Sequence, residues 1–98
     1  MMKQEKKGKY FEQNHFKIYN LDKETIDLNE VSIRNSLVVN NCNSVVINIS
    51  KTINHIEINN SKHVHLKFKS VISSVELTRV ESCTLESNNK FYTLQIDM

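Results

Sequence analysis

The chain has 98 residues and a mass of 11.5 kDa, with 39% hydrophobic and 24% charged residues, one glycine, no proline and two cysteines. This length fits one small domain with much of its surface exposed, which disfavours an enzyme with a deep cleft. The chain contains no apolar run of about 18 residues, and no apolar segment follows the first lysines. We therefore expect a soluble, cytoplasmic protein.

Positive charge is concentrated at the amino terminus. The net charge is +2, but the first nine residues carry +3, which leaves −1 for residues 10–98. We predict a disordered basic tail over residues 1–9, followed by a single domain over residues 10–98. A nucleic-acid-binding domain would carry its basic residues on the folded surface, so we expect no nucleic-acid partner.

A repeat of nineteen residues runs through most of the chain, with apolar residues recurring in six columns. The columns are Leu37, Ile56, Val75 and Leu94; Val39, Ile58, Leu77 and Ile96; Ile26, Val45, Val64 and Cys83; Leu28, Ile47, Leu66 and Leu85; Ile49 and Phe68; and Ile53, Ile72 and Phe91. Within each repeat the apolar positions are two apart, as in Ile56-Glu57-Ile58, which is the period of a strand with one buried face.

The repeat predicts the fold. Units that each carry one apolar row bury it only by stacking on one another, which indicates an all-β parallel solenoid with a coil period of about 19 residues. Parallel crossovers are almost always right-handed, so we predict a right-handed β-helix. Periodicity alone does not exclude a β-sandwich, but a sandwich would not need a fixed register through four units.

Polar pairs mark the predicted corners, because asparagine tolerates the left-handed backbone that a sharp corner needs. These pairs are Asn40-Asn41, Asn59-Asn60, Thr78-Arg79 and Asn88-Asn89. The earlier apolar residues have no upstream partner and are interpreted as an irregular first coil or a cap. They are Tyr10, Phe11, Phe16, Ile18 and Tyr19. At the other end, residues 92–96 read as a core-facing strand, which suggests a homodimer or a partner at the carboxyl-terminal end.

Three segments resemble the carboxyl-terminal domain of the cyclase-associated proteins. Residues 50–62 follow the family pattern K-G-K-I-N-S-I-x-x-D-x-C-K, residues 65–76 follow G-L-V-F-D-x-V-V-x-x-V-E, and residues 90–97 follow K-V-P-T-I-S-I-D. The matching residues are Ile53, Asn54, Ile56, Lys62, Leu66, Phe68, Val71, Val75, Glu76, Lys90, Thr93, Ile96 and Asp97. Cys42 coincides with the cysteine of a further family pattern, Y-I-Y-x-C-x-N. The resemblance runs without a gap from about residue 34 to residue 97.

The resemblance implies a β-helix that binds monomeric actin, prefers its ADP form and promotes exchange of ADP for ATP, with no covalent chemistry and no cofactor. Outward-facing rows flank the core columns and offer a flat docking ladder. The rows are Val38, Glu57, Glu76 and Gln95; Asn48, Lys67 and Glu86; and Val46, His65 and Thr84. We expect Glu57, Lys62, Lys67, Glu76 and Thr93 to contact actin; the alternative is that these rows are only a solvated face.

The cysteines and histidines are interpreted as structural. Two coils separate Cys42 from Cys83, which places them about 10 Å apart and beyond disulfide reach. Cys83 shares an interior column with valines, where a thiol packs as a small hydrophobe. His63 and His65 fall on one face of a predicted strand, but no further ligand has a spacing that suits zinc, so we expect no metal site.

Two other functions stay open. The tubulin cofactor C domain is a related β-helix that accelerates GTP hydrolysis on a partner by inserting an arginine. Residues 45–54 contain no arginine, and neither Arg34 nor Arg79 lies in a finger motif. The third interpretation is a scaffolding solenoid with no activity.

Overall fold

The structure is a computed structural model that describes residues 7–87 and 90–94, with side chains up to residue 87. Its strands are β1 (Gly8–Glu12), β2 (His15–Tyr19), β3 (Thr25–Leu28), β4 (Ser36–Asn40), β5 (Val46–Ile49), β6 (Thr52–Lys62), β7 (His65–Phe68), β8 (Ser70–Glu81), β9 (Cys83–Ser87) and β10 (Lys90–Leu94). Within these ranges no helix is long and apolar enough to cross a membrane.

The strands form two five-stranded sheets on either side of one apolar core. Sheet A has the order β1-β2-β4-β6-β8, and sheet B has the order β10-β9-β7-β5-β3. From β2 to β9 the chain alternates between the two sheets, and strands of successive coils pair in parallel. This is a β-solenoid of about 4 turns with a period near 19 residues. The predicted β-helix is therefore confirmed over a conventional sandwich.

The predicted sheet A columns are confirmed over three coils. Leu37 pairs in register with Ile56 and Ile56 with Val75, while Val39, Ile58 and Leu77 align in the same way. Leu37 and Ile56 are fully buried, because each aliphatic side chain is covered by the coil on either side. Burial of this kind stabilises the fold by about 1.5–3 kcal/mol for each side chain.

The first coil is two residues longer than the others, so two predicted column members were wrong. Ile26 pairs with Ile47 rather than lying over Val45, and Leu28 pairs with Ile49 rather than Ile47. The extra residues lie between β3 and β4, in the connection 29–35. Most of that connection is exposed, but Val31 and Asn35 are buried in it, and Asn35 Oδ1 accepts hydrogen bonds from the backbone N–H and the hydroxyl of Ser32.

A bulge changes the register at the start of β8. Ile53 pairs with Val71, whereas His55 pairs with Ser74, so β8 holds one extra residue between these two pairs. The predicted column through Ile53 and Ile72 was therefore wrong. The bulge turns Ile72 outward, where 57% of it is exposed.

The last strand reverses direction, which was not expected. β10 pairs with β9 antiparallel, and Leu94 lies opposite Cys83 in sheet B instead of stacking over Val75 in sheet A. Phe91 likewise lies opposite Glu86 and is not a third member of the Ile53 column. Ser87 and Lys90 form the first pair of this antiparallel ladder. The predicted column member Ile96, the row member Gln95 and the corner at 88–89 lie outside the described residues.

The other predicted corners are confirmed by backbone geometry. Asn41, Asn60 and Arg79 all have φ between 50° and 56°, one in each successive coil. A second set of left-handed corners, at Ser44, His63 and Ser82, was not predicted. It lies where each coil passes from sheet A to sheet B.

The amino-terminal aromatic residues form a hairpin that belongs to the first coil, as the cap interpretation predicted. β1 pairs antiparallel with β2, and β2 continues the solenoid by pairing with β4. Phe16 and Ile18 are buried beside Leu37 and Val39. β1 begins at Gly8, so the last two residues of the predicted tail belong to a strand; residues 1–6 lie outside the described part.

Candidate functional site

The outer face of sheet A carries a compact group that we call the His55 cluster, consisting of His55, Glu57 and Glu76. One nitrogen or carboxylate oxygen from each residue lies within 4.8 Å of the others. His55 Nε2 is 2.9 Å from Glu76 Oε2. The first two residues are two positions apart on β6 and so share one face, while Glu76 lies beside Glu57 in register on β8.

Two neighbouring side chains orient this cluster. The hydroxyl of Ser74 lies 3.1 Å from His55 Nδ1 and is hydrogen-bonded to it, which leaves Nε2 directed at the carboxylate of Glu76. Asn59 donates its side-chain amide to Glu57 Oε2 at 2.6 Å. Both contacts follow from the strand period, because alternate residues of β6 and β8 share this face.

The outer face of sheet B carries different residues. Lys67 is exposed on β7, in register between Asn48 and Glu86. His65, two positions before Lys67, has its Nε2 3.2 Å from Glu86 Oε1. Because both sheets contribute their inner faces to the same core, this face points away from the His55 cluster.

The remaining predicted contacts lie apart from both groups. Lys62 ends β6 beyond the corner at Asn60, and its Nζ is 3.6 Å from Glu81 Oε2 in an exposed pair that adds little stability. Thr93 lies on β10 opposite Thr84, and its side chain lies outside the described residues. Of the five predicted actin contacts, Glu57 and Glu76 thus lie on the outer face of sheet A, Lys67 on that of sheet B and Lys62 at a corner, while Thr93 is placed only by its backbone, on β10 of sheet B.

Both cysteines are buried free thiols. Burial raises the pKa of the Cys42 thiol and that of Cys83, which keeps both in the neutral, unreactive form at neutral pH. Cys83 occupies the predicted interior position and Cys42 lies at a corner, where its backbone N–H donates to the buried hydroxyl of Ser61. These positions support the structural interpretation of the thiols.

The structure corrects the sequence-based view of the histidines. His63 is a corner residue with φ of 53°, outside β7, so it does not share a strand face with His65. Among the described residues, His55 is the histidine that belongs to a group of three ligand-type side chains, and both of its partners are glutamates. The signal was present in the sequence as His-x-Glu on one strand, with a second glutamate nineteen residues after the first. The nineteen-residue repeat places the two glutamates beside each other, and carboxylates bind metal ions as histidines do.

A family comparison fits this architecture. Residues 4–98 match the model for the carboxyl-terminal domain of the adenylate cyclase associated (CAP) proteins. The chain belongs to this family. No curated protein and no solved structure matches it significantly. The CAP match extends upstream of residue 34 and so includes the amino-terminal hairpin.

Proposed function

We propose that this CAP carboxyl-terminal domain binds actin monomers, prefers their ADP form and promotes exchange of ADP for ATP, without catalysing a reaction itself. The observation that carries the proposal is the family match over residues 4–98. The CAP family acts on actin, and the two stacked sheets supply flat outer faces of the kind that dock a protein surface. The same membership supports a cytoplasmic, cytoskeleton-associated location, which imaging of the tagged protein beside labelled actin would test.

We assign the main actin contact to the outer face of sheet A. Glu57 and Glu76 lie side by side there, and Glu76 is 63% exposed at its side chain. Lys62 follows on the same strand as Glu57 and widens the surface at the corner. Lys67 and Thr93 belong to sheet B, so a partner seated flat on sheet A would reach them only by wrapping around the solenoid.

A titration of labelled actin monomers tests both the function and the face. We expect tighter binding to ADP-actin than to ATP-actin and faster nucleotide exchange in the presence of the domain. The double substitution Glu57→Lys with Glu76→Lys should weaken binding at least about tenfold, since charge matching steers and holds such contacts. Lys67→Glu, on sheet B, is the matched control and should bind normally.

These results distinguish two questions: whether the domain binds actin, and which sheet makes the contact. If Lys67→Glu weakens binding and the double variant does not, actin docks on sheet B. If the unmodified domain binds neither form of actin, the proposed function is wrong. A normal thermal unfolding curve for each variant shows that a loss of binding does not reflect loss of fold.

We also propose a homodimer through the β8 edge of sheet A. In the part of the chain that the structure describes, β8 pairs on one side only, with β6. Val75 and Leu77 are half-buried there, whereas Ile56 and Ile58, beneath them, are fully buried. A second copy would cover these side chains. Sedimentation equilibrium should show a dimer that Val75→Lys dissociates, and a monomer at every concentration tested would contradict it.

A further inference from the structure

We propose that the His55 cluster binds a divalent transition-metal ion of the Zn²⁺ type, with His55 Nε2 and one carboxylate oxygen each from Glu57 and Glu76 as ligands. The proposal concerns a binding site and adds no catalytic step. It does not depend on actin binding, because it rests on three side chains of the isolated chain. The ligands come from two neighbouring strands of one sheet, so the backbone holds them together.

The separations of the three ligand atoms suit one ion. Zinc–nitrogen and zinc–oxygen bonds of about 2.0–2.2 Å at tetrahedral angles place ligand atoms about 3.4 Å apart. The His55 Nε2–Glu76 Oε2 distance is 2.9 Å, and one ligand atom from each of the three residues lies within 4.8 Å of the others. This range brackets the separation an ion needs. The side chain of Glu76 is 63% exposed, so it can rotate to adjust without moving the strand.

The outer contacts are those that a metal site requires. A ligating histidine normally uses its second ring nitrogen in a hydrogen bond that fixes the ring. Here the Ser74 hydroxyl occupies Nδ1 at 3.1 Å, and Nε2 points into the cluster. The Asn59 amide holds Glu57 Oε2 at 2.6 Å. Two of the three ligands are therefore oriented by residues outside the cluster, and water would complete the coordination on the exposed side.

The charges on this face also favour a cation. Glu57 and Glu76 are directly in register on neighbouring strands, an arrangement in which like charges repel. A bound divalent ion would offset that repulsion. The imidazole nitrogen favours zinc and its neighbours in the transition series over Ca²⁺ and Mg²⁺, which prefer all-oxygen sites.

The chain contains a matched control on sheet B. His65 Nε2 lies 3.2 Å from Glu86 Oε1, so it repeats the histidine–glutamate contact on a strand of the same solenoid. Among the described residues, however, this pair belongs to no group of three ligand-type side chains. If a simple histidine–glutamate contact were sufficient to bind zinc, the two sites would behave alike.

The test is calorimetric titration of the tag-free full chain with ZnCl₂ at neutral pH, with CaCl₂ and MgCl₂ titrated separately. We expect one Zn²⁺ for each chain and no saturable binding of Ca²⁺ or Mg²⁺. His55→Asn, Glu57→Gln and Glu76→Gln should each weaken Zn²⁺ binding by at least about tenfold, and Ser74→Ala by about 10–100-fold through the outer contact. His65→Asn and Glu86→Gln should bind like the unmodified chain.

A second measurement keeps the proposal testable if a cluster variant fails to fold. In the unmodified chain, Zn²⁺ should shift the ring ¹⁵N resonance of His55 Nε2 and leave that of His65 in place. Absence of saturable Zn²⁺ binding, or an unchanged affinity in folded His55→Asn, would overturn the proposal. Equal shifts at His55 and His65 would also overturn it, because they would reduce the site to a simple histidine–glutamate pair. Failure of the actin titration would leave these outcomes unaffected.

Discussion

The side-chain amide of Asn41 donates a 2.7 Å hydrogen bond to Oδ1 of Asn20, the residue at the same corner one coil earlier. Both residues have a left-handed backbone, with φ of 56° and 60°. Asn60 occupies this corner in the next coil, with φ of 50°, and its amide reaches Asn40 Oδ1 at 3.3 Å. Asparagine therefore serves these corners twice, by tolerating the backbone conformation and by linking successive coils.

Asn41→Ala should lower the free energy of unfolding by about 1.5–3 kcal/mol, because alanine is strained in the left-handed backbone conformation and lacks the amide that makes the hydrogen bond. Asn41→Gly also loses the side-chain hydrogen bond, but glycine adopts the left-handed backbone without strain. This variant should therefore be more stable than Asn41→Ala. Asn48→Ala is the control: its amide bonds Asp27 Oδ1 at 2.8 Å from an ordinary strand. Urea unfolding measures all three, and equal losses in Asn41→Ala and Asn41→Gly would refute the backbone contribution.

Ile56→Ala should destabilise the domain by about 2–5 kcal/mol, since it opens a cavity between two coils. Ile72→Ala should cost less than about 0.5 kcal/mol, because the bulge leaves that side chain outside the core. Both variants remove the same atoms from the same residue type, so thermal and urea unfolding compare only their positions. Similar losses in the two would contradict the register at the start of β8.

Ser61→Ala should cost about 1–3 kcal/mol, more than its small volume suggests. The buried Ser61 hydroxyl accepts the Cys42 backbone N–H at 3.2 Å and donates to the Asn59 carbonyl at 2.8 Å. Alanine would leave the buried Cys42 N–H without its acceptor, while the Asn59 carbonyl would keep the hydrogen bond from the Asn41 N–H. Amide hydrogen exchange at Cys42 should accelerate along with the loss measured in urea, and unchanged exchange there would argue against this explanation.

Alkaline pH should weaken the fold through the two thiols. Burial raises the pKa of both, so the folded state holds these protons where the unfolded chain begins to release them. The stabilising contribution is complete below the unfolded thiol pKa of about 8.5 and is lost as pH rises through the folded pKa. The double variant Cys42→Ala with Cys83→Val should lose less stability than the unmodified chain between about pH 8 and pH 10. Parallel pH profiles for the two proteins would contradict this.

Much of the fold was predictable because every coil of a solenoid uses the same spacing of apolar and polar residues. Leu37 and Ile56 align because each coil has the same length, so a nineteen-residue offset in the sequence becomes a stacking contact. The same rule predicted Glu57 beside Glu76 and Lys67 beside Asn48. It failed at Ile26 and Ile72, where two extra residues in one connection and one in a bulge change the register without disturbing the apolar alternation.

The sequence by itself determined the coiled architecture, the buried columns and the asparagine corners, since these depend on residue spacing and on the backbone that each residue tolerates. Only the tertiary structure decided which outward residues meet. It divided the predicted actin contacts between opposite faces, turned the last strand back along sheet B, and brought His55 to Glu76. Those outcomes depend on the coil length at each corner and on strand direction, which side-chain periodicity along a single chain does not encode.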